Sequence, residues 1–230
     1  MKKMYKWKIF IHLYIYTFIF MIDMLSFLNN IYPTLYIHLK NIENIVKSVS
    51  EYIEGNCFTA NNTFIYAPDQ FPKQLNIYEF GLKCNNILEI GFNAGHSALL
   101  MLLANPKLII DVFDINHHKY TELCFNYLND KFNGRLISHW GSSVETLSKI
   151  TESKWDGFHI DGCHLEEVAT IDINNVIRLS NPNNLIMIDD TQMIWLKELM
   201  FKMIGENKFE QKPHYYPTTR SEHIIGSFVK

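Results

Sequence analysis

The sequence predicts an α/β fold: a mostly parallel, seven-stranded, Rossmann-like sheet with helices on both faces and a C-terminal antiparallel hairpin. Three observations support this prediction. After residue 85, short isoleucine-rich apolar runs alternate with helical segments. A glycine loop joins the first run to the first helix, and two strand-like pieces end the chain. Short runs that are apolar on both faces and separated by helices are typical of a parallel sheet covered on both sides.

The individual elements follow from hydrophobic periodicity. The predicted parallel strands are the runs NILEIG, KLIIDVFD, RLISHW, WDGFHID and NNLIMIDD. The predicted helices are residues 97–103, 118–132, 144–150, 165–179 and 193–204. The tail pieces KFEQKPHYYP and EHIIGSFVK, joined by residues 218–221, predict the closing hairpin.

The first 28 residues are an apolar segment with a basic flank, and two interpretations of it stay open. The uninterrupted apolar run, residues 9–22, is shorter than the ~20 residues that a transmembrane helix needs. The segment is therefore either a membrane anchor through residues 8–28 or an apolar helix packed on the domain or on a partner. The chain is accordingly expected in the cytoplasm or at a membrane.

Residues 29–75 are predicted to be a helical lead-in and loop ahead of a sheet domain at residues 76–230. Asn41 is expected to cap a helix over residues 42–53, which Gly55 would end. Pro68 and Pro72 are expected to break regular structure in the loop that follows.

The composition excludes several classes of function. Hydrophobic residues make up 47% of the chain and its formal net charge is −3, which predicts a well-packed globular protein without a basic face for nucleic acid. The four cysteines have none of the paired spacings of a zinc knuckle or a disulfide framework. The oligomeric state cannot be inferred from these features.

The glycine loop EIGFNAG predicts a nucleoside cofactor. Gly91 lets the chain turn off the strand, and Gly95 is expected to let the backbone approach a ligand at the helix start. Asp114 ends the next strand, where a carboxylate can accept both hydroxyls of a ribose. The loop lacks the G-x-G-x-x-G pattern of dinucleotide-binding proteins, and Glu89 suits amino and sulfonium charges better than phosphates.

Together with the later motifs G-S-S-V-E-T-L, D-G-C-H and I-D-D, this loop resembles the class I S-adenosylmethionine-dependent methyltransferases. The most similar branch is the D-G-x-H group of small-molecule O-methyltransferases, family 24. The resemblance covers about residues 75–230 and departs at Asn183 and Asn184, where the family usually has two glycines. It implies methyl transfer from S-adenosylmethionine to a hydroxyl of a small-molecule acceptor.

The resemblance also implies roles for particular residues. The loop would surround the methionine part of the cofactor, the acid after it would hold the ribose, and two serines would flank the adenine. Either serine could instead, or also, cap the helix that follows. The implied cofactor-binding residues are Glu89, Gly91, Asn93, Gly95, Asp114, Ser142 and Ser143.

Three aspartates predict a metal site. Asp161, Asp189 and Asp190 end two strands that are expected to be neighbours, about 4.8 Å apart. Close carboxylates repel one another unless a cation or a proton joins them, and their oxygens suit Mg²⁺, Mn²⁺ or Ca²⁺. Such an ion could lower the pKa of an acceptor hydroxyl. In the alternative, Asp161 contacts the cofactor amine and Asp189 or Asp190 caps the next helix.

The predicted catalytic residues are Asp161 and His164. His164 lies three residues after Asp161 and could accept the acceptor's proton, or it could only form a hydrogen bond at the helix start. Two other functions remain as alternatives: a catalytically degenerate protein that binds a nucleoside cofactor, and an NAD-type oxidoreductase, which the missing G-x-G disfavours.

Overall fold

The computed structural model describes residues 31–60, 62–216 and 223–230. The chain divides into a compact unit, Asn41–Lys230, and a smaller unit, Met1–Lys40, of which residues 31–40 are described. The apolar segment predicted at residues 1–28 lies outside the described residues. Within the described part of the chain, no helix has both the length and the apolar character needed to cross a bilayer.

A seven-stranded sheet in the order β3-β2-β1-β4-β5-β7-β6 forms the centre of the larger unit. Strands β1 to β5 pair in parallel, and β7 pairs antiparallel with both β5 and β6. This arrangement confirms the predicted fold class, including the closing hairpin. The strands are β1 Asn86–Ile90, β2 Ile109–Asp114, β3 Leu136–Trp140, β4 Gly157–Ile160, β5 Leu185–Asp189, β6 Phe209–Lys212 and β7 His223–Phe228.

The helices between the strands lie within about three residues of their predicted bounds, as the same hydrophobic periodicity requires. A short 3₁₀ helix, Pro68–Gln70, precedes α2. The helices described are α1 Tyr32–Ser48, α2 Phe71–Leu82, α3 His96–Ala104, α4 Thr121–Lys131, α5 Ser143–Ser148, α6 Glu166–Leu179 and α7 Ile194–Gly205.

The sheet separates two buried layers because successive side chains of a strand point to opposite faces. Leu88 of β1 belongs to an apolar cluster with Leu147 of α5 and Val176 of α6. The next side chain, Glu89, is buried on the other face, where it contacts Ser97 of α3. The acid of the glycine loop therefore lies beneath helix α3.

Two predictions for the lead-in were wrong. Asn41 lies in the middle of α1, and this helix ends at Ser48, well before Gly55. The Asn41 side chain forms a hydrogen bond with Tyr127 of α4, so a tertiary contact replaces the predicted capping role.

Pro72 is the second residue of α2 instead of breaking structure, because a residue in the first helical turn needs no N–H for the helix. The predicted domain boundary between residues 75 and 76 falls inside α2. The first turn of this helix, which includes Lys73, therefore comes from the predicted lead-in.

Candidate functional site

The glycine loop passes directly against the end of β4. Gly91 has φ +88°, and a Cβ atom at this position would lie 1.9 Å from the carbonyl oxygen of Asp161. Gly95 has φ +78°, and its Cβ would lie 2.5 Å from the ring of Phe92 and 2.7 Å from Leu128. The missing side chain of Gly95 thus makes room for protein packing, and the expected approach of its backbone to a ligand stays a prediction.

Asp114 holds this loop in place. Its Oδ2 accepts hydrogen bonds from the backbone N–H groups of Phe92 and Asn93, at 2.8 and 2.9 Å. Its Oδ1 accepts one from the N–H of Asn116 at 2.7 Å. A carboxylate offers about four lone-pair sites, so roughly one acceptor position remains, on Oδ1. The side chain can therefore accept one ribose hydroxyl, where the sequence predicted two.

Residues of the lead-in contact the glycine loop from its outer side. Asn93, which has φ +54°, accepts a hydrogen bond from the Tyr120 hydroxyl at 2.7 Å and donates one to the Gly55 carbonyl at 3.3 Å. The N–H of Glu54 donates to the same Tyr120 hydroxyl at 3.4 Å. These contacts of Glu54, Gly55 and Tyr120 were missed by the sequence analysis because no local pattern signals them.

Glu89 links α3 to β4. Its Oε1 accepts a hydrogen bond from the Ser97 hydroxyl at 2.6 Å and lies 3.0 Å from Nδ1 of His159. Burial lowers the pKa of His159, but the hydrogen bond and charge of Glu89 outweigh burial and raise it above its ordinary value. The buried Oε2 of Glu89 has no partner among the described residues. An unpartnered buried carboxylate oxygen can accept a hydrogen bond from a cationic amine.

The two candidate adenine residues stand at the start of α5. Ser142 occupies the N-cap position, but its hydroxyl makes no capping hydrogen bond. Its carbonyl instead accepts from the N–H of Thr146 at 2.9 Å. Ser142 is thus the N-cap residue of α5, as the alternative predicted, but its side chain does not form the capping hydrogen bond. The Ser143 side chain faces the carboxyl group of Asp172 on α6.

Asp172 is a buried carboxyl group that the sequence analysis missed. A Cβ atom on Gly162 would lie 3.6 Å from its Oδ2, which places Asp172 behind the loop that follows β4. Neither oxygen of its carboxyl group has a hydrogen-bond partner of good geometry among the described residues. Burial raises the pKa of Asp172 to about 6, against a smaller opposing effect of the Ser143 hydroxyl. In the sequence, the one indication that Asp172 is buried is its position on the apolar face of the predicted helix.

We expect Asp172→Asn to remove a pH dependence of stability. The unfolded chain releases the proton of Asp172 near pH 4, whereas the folded chain retains it to about pH 6. The folded state therefore binds more protons in this window, and stability falls as the pH rises from 4 to 6 and stays lower above 6. Two pKa units correspond to roughly 3 kcal/mol, an upper estimate of the loss that the variant avoids at pH 8.

Urea unfolding at pH 4.5 and pH 8 measures this effect as the difference between the wild type and Asp172→Asn. Asp130→Asn is the matched control, because the Asp130 side chain is 73% exposed. Equal losses of stability in the wild type and in Asp172→Asn would contradict the assignment.

The predicted acid cluster forms at the ends of β4 and β5, but with an additional member. Lys73 Nζ of α2 lies 2.5 Å from Asp189 Oδ2. At this edge of the sheet, the ligand atoms of Asp161, His164 and Asp190 all lie within 4.8 Å of one another; a second such group among the described residues is Glu54, His117 and His118. Two of the three predicted aspartates therefore lie together with His164, whereas Asp189 is paired with an ammonium group; the divalent ion at this edge stays a prediction. The sequence analysis missed Lys73 because it predicted a loop in this region.

The charges of the cluster are set by short contacts. His164 Nε2 lies 2.6 Å from Asp190 Oδ2, and this hydrogen bond raises the pKa of His164. Burial raises the pKa of Asp190, but hydrogen bonds from His164 and Gln192 outweigh it and lower that pKa. Burial and the neighbouring Asp189 raise the pKa of Asp161 well above its ordinary value.

Lys73 remains charged. Burial lowers the pKa of its ammonium group, but Asp189 and Asp161 outweigh burial and raise that pKa above its ordinary value. The site at the end of β4 and β5 therefore contains a permanent cation, together with a histidine–carboxylate pair.

Comparison with known proteins agrees with this geometry. Residues 88–191, which run from β1 to the turn after β5, match the family model described as Methyltransferase domain, family 24. Over these residues the chain is similar to a methyltransferase domain. Comparison with curated proteins by sequence gives no significant match.

Solved structures share the fold of the methyltransferase domain. An O-methyltransferase of Bacillus cereus in complex with S-adenosylhomocysteine is 16% identical, with a TM-score of 0.59 over 84% of this chain and 90% of that one. An S-adenosylhomocysteine-bound methyltransferase of Podospora anserina is 11% identical, with a TM-score of 0.57 over 85% and 88%.

A TDP-rhamnose 3′-O-methyltransferase of calicheamicin biosynthesis is also similar. It is 16% identical, with a TM-score of 0.53 over 70% of this chain and 80% of that one. At these identities the likeness shows the fold alone.

Proposed function

We propose that the protein transfers a methyl group from S-adenosylmethionine to a hydroxyl oxygen of a small molecule. The observation that carries this proposal is the His164–Asp190 pair at the ends of β4 and β5. It lies on the same edge of the sheet as the glycine loop, where parallel sheets bind their ligands. The likeness to O-methyltransferases, one of which acts on a sugar nucleotide, supports a small-molecule acceptor.

The residues over β1 to β3 fit the cofactor. Asp114 Oδ1 has an acceptor position for one ribose hydroxyl, and Glu89 Oε2 has one for a cationic amine. Gly91, Asn93 and Gly95 hold the loop backbone in its left-handed turns beside this position. Ser142 offers a hydroxyl that does not cap α5, and that hydroxyl suits an adenine edge. Bound S-adenosylmethionine would supply the methyl group from its sulfonium.

His164 is the proposed general base. Because the Nε2–H group of His164 donates a hydrogen bond to Asp190, the neutral imidazole keeps a lone pair on Nδ1. This nitrogen can accept the proton of the acceptor hydroxyl as the oxygen gains the methyl group. The side chain is 62% exposed, so an acceptor from solvent can reach it. Asp190, which has φ +57°, fixes the ring orientation and stabilises the imidazolium that forms.

Calorimetry of the full chain with S-adenosylmethionine, S-adenosylhomocysteine and NAD tests the cofactor. We expect binding of the first two ligands and none of NAD. Binding of NAD alone would refute the proposal in favour of an oxidoreductase. Incubation with isotopically methyl-labelled cofactor and a panel of hydroxylated small molecules then tests turnover, and cofactor binding without any labelled product would favour a degenerate binding protein.

The rate of methyl transfer should rise with pH through the raised pKa of His164, since only the neutral imidazole accepts a proton. Asp190→Asn keeps an oxygen acceptor for His164 but removes the negative charge that raises this pKa. The acidic limb of the pH–rate profile should therefore move to lower pH in this variant. His164→Gln should lose most of the turnover and retain cofactor affinity. An unchanged acidic limb in Asp190→Asn would exclude His164 as the titrating base.

A further inference from the structure

We propose that Lys73 is the resident cation of the acceptor site, placed where the sequence predicted a divalent metal ion, so that methyl transfer by this protein requires no metal. This inference rests on the proposed function, because it concerns the same acceptor site. It adds a residue that lies outside the region matched to the methyltransferase family, which begins at residue 88.

The contact between Lys73 and Asp189 is close and buried. The ammonium nitrogen lies 2.5 Å from Asp189 Oδ2, with 13% of the lysine side chain and 2% of the aspartate side chain exposed. The other oxygen of Asp189 has no hydrogen-bond partner among the described residues. Lys73 is thus the cation that neutralises Asp189, and a buried carboxylate requires such a partner.

The position of Lys73 is fixed by helix α2. Pro68 and Pro72 start the 3₁₀ helix and α2, and Lys73 follows in the first turn. The next residue, Gln74, is buried and donates a hydrogen bond to the Cys57 carbonyl at 2.8 Å. Gly81, near the end of α2, packs against Met101 of α3, where a Cβ would lie 2.6 Å away. Helix α2 is therefore held in place by these contacts, and the ammonium group of Lys73 is held at the end of β5.

A divalent ion bound by Asp189 would meet an ammonium group at contact distance. Two like charges at about 4 Å repel strongly even at the effective dielectric of a protein surface. His164, which lies against Asp190, adds positive charge whenever it is protonated. The site thus balances its carboxylates with side chains of the same chain, and this balance opposes metal binding.

Titration with Mn²⁺ tests the proposal, with free Mn²⁺ followed by electron paramagnetic resonance in the presence of S-adenosylhomocysteine. We expect the full-length wild type to bind Mn²⁺ weakly or not at all. Lys73→Met, which keeps an unbranched side chain one atom shorter and removes its charge, should bind Mn²⁺ at least about tenfold more tightly. Adding Asp189→Asn to Lys73→Met should abolish the gain.

Lys83→Met is the matched control, since Lys83 ends the same helix but is 45% exposed and pairs with Glu79 at 3.6 Å. It should bind Mn²⁺ as the wild type does. Lys73→Gln, which can still donate a hydrogen bond to Asp189, serves as a second uncharged variant if Lys73→Met fails to fold.

Two results would overturn the proposal. One is tight Mn²⁺ binding by the wild type that Asp161→Asn, Asp189→Asn or Asp190→Asn abolishes. The other is a folded Lys73→Met or Lys73→Gln variant that binds S-adenosylhomocysteine but gains no affinity for Mn²⁺. A wild type that excludes Mn²⁺ and also fails to bind S-adenosylhomocysteine would refute the proposed function, while the assignment of Lys73 as the resident cation would stand.

Discussion

Gly91→Ala should lower the free energy of unfolding by about 3–5 kcal/mol, the largest effect of a single methyl group expected in this protein. The added Cβ would lie 1.9 Å from the carbonyl oxygen of Asp161 and 2.6 Å from its carbonyl carbon. Both atoms belong to backbone, so no side-chain rotation relieves the contact. Either the glycine loop or the end of β4 must move, and both carry the proposed site.

A variant of a second glycine distinguishes the effect of this steric clash from the effect of the positive φ angle. Gly134 has φ +73°, close to the +88° of Gly91, but nothing lies within 4 Å of a Cβ built on it. Gly134→Ala should therefore cost only the about 1–2 kcal/mol of a left-handed residue with a side chain. Thermal and urea unfolding of both variants provide the comparison. Similar losses in the two variants would show that Gly91 is required only for its φ angle.

Asp114→Ala should weaken the binding of S-adenosylhomocysteine by about 1.5–3 kcal/mol, or roughly ten- to a hundredfold. The structure gives two physical reasons. The variant removes the acceptor position on Oδ1 that fits a ribose hydroxyl, and it releases the N–H groups of Phe92 and Asn93 that shape the glycine loop. Calorimetry measures the first consequence directly, and the melting temperature of the ligand-free protein reports the second.

Asp130→Ala is the control for this measurement, because it removes the same charge from an exposed position on α4. It should leave the affinity for S-adenosylhomocysteine unchanged. If folded Asp114→Ala bound this ligand as tightly as the wild type, Asp114 would be a structural residue of the loop and the ribose would lie elsewhere.

The order of strands and helices was predictable because it depends on local patterns. Short apolar runs such as NILEIG and LIMID, bounded by turn residues, are typical of buried strands, and the segments between them have helical spacing. The lead-in was predicted less well. Asparagine is a common N-cap residue, but Asn41 lies inside α1, where it contacts Tyr127. A weak local preference gave way to packing against a distant helix.

The residues of the candidate site could be predicted where an acidic residue stands at the end of a predicted strand. Glu89, Asp114, Asp161 and Asp189 each follow a recognisable apolar run, and parallel strands bring such ends to one edge. The hydrogen-bond partners of these acidic side chains could not be predicted. Three positions on Asp114 are already taken by backbone N–H groups, and Glu89 is turned beneath α3 towards Ser97 and His159.

The sequence by itself determined the sheet, the methyltransferase motifs and the set of acids at the sheet edge, because periodicity and strand ends are properties of neighbouring residues. Only the tertiary structure decided which charges those acids meet. Lys73 reaches Asp189 because α2 packs against α3, and Asp172 lies behind the loop after β4 because α6 covers that face. Such contacts join residues far apart in the chain, and their energies depend on distance and burial, which exist only once the chain is folded.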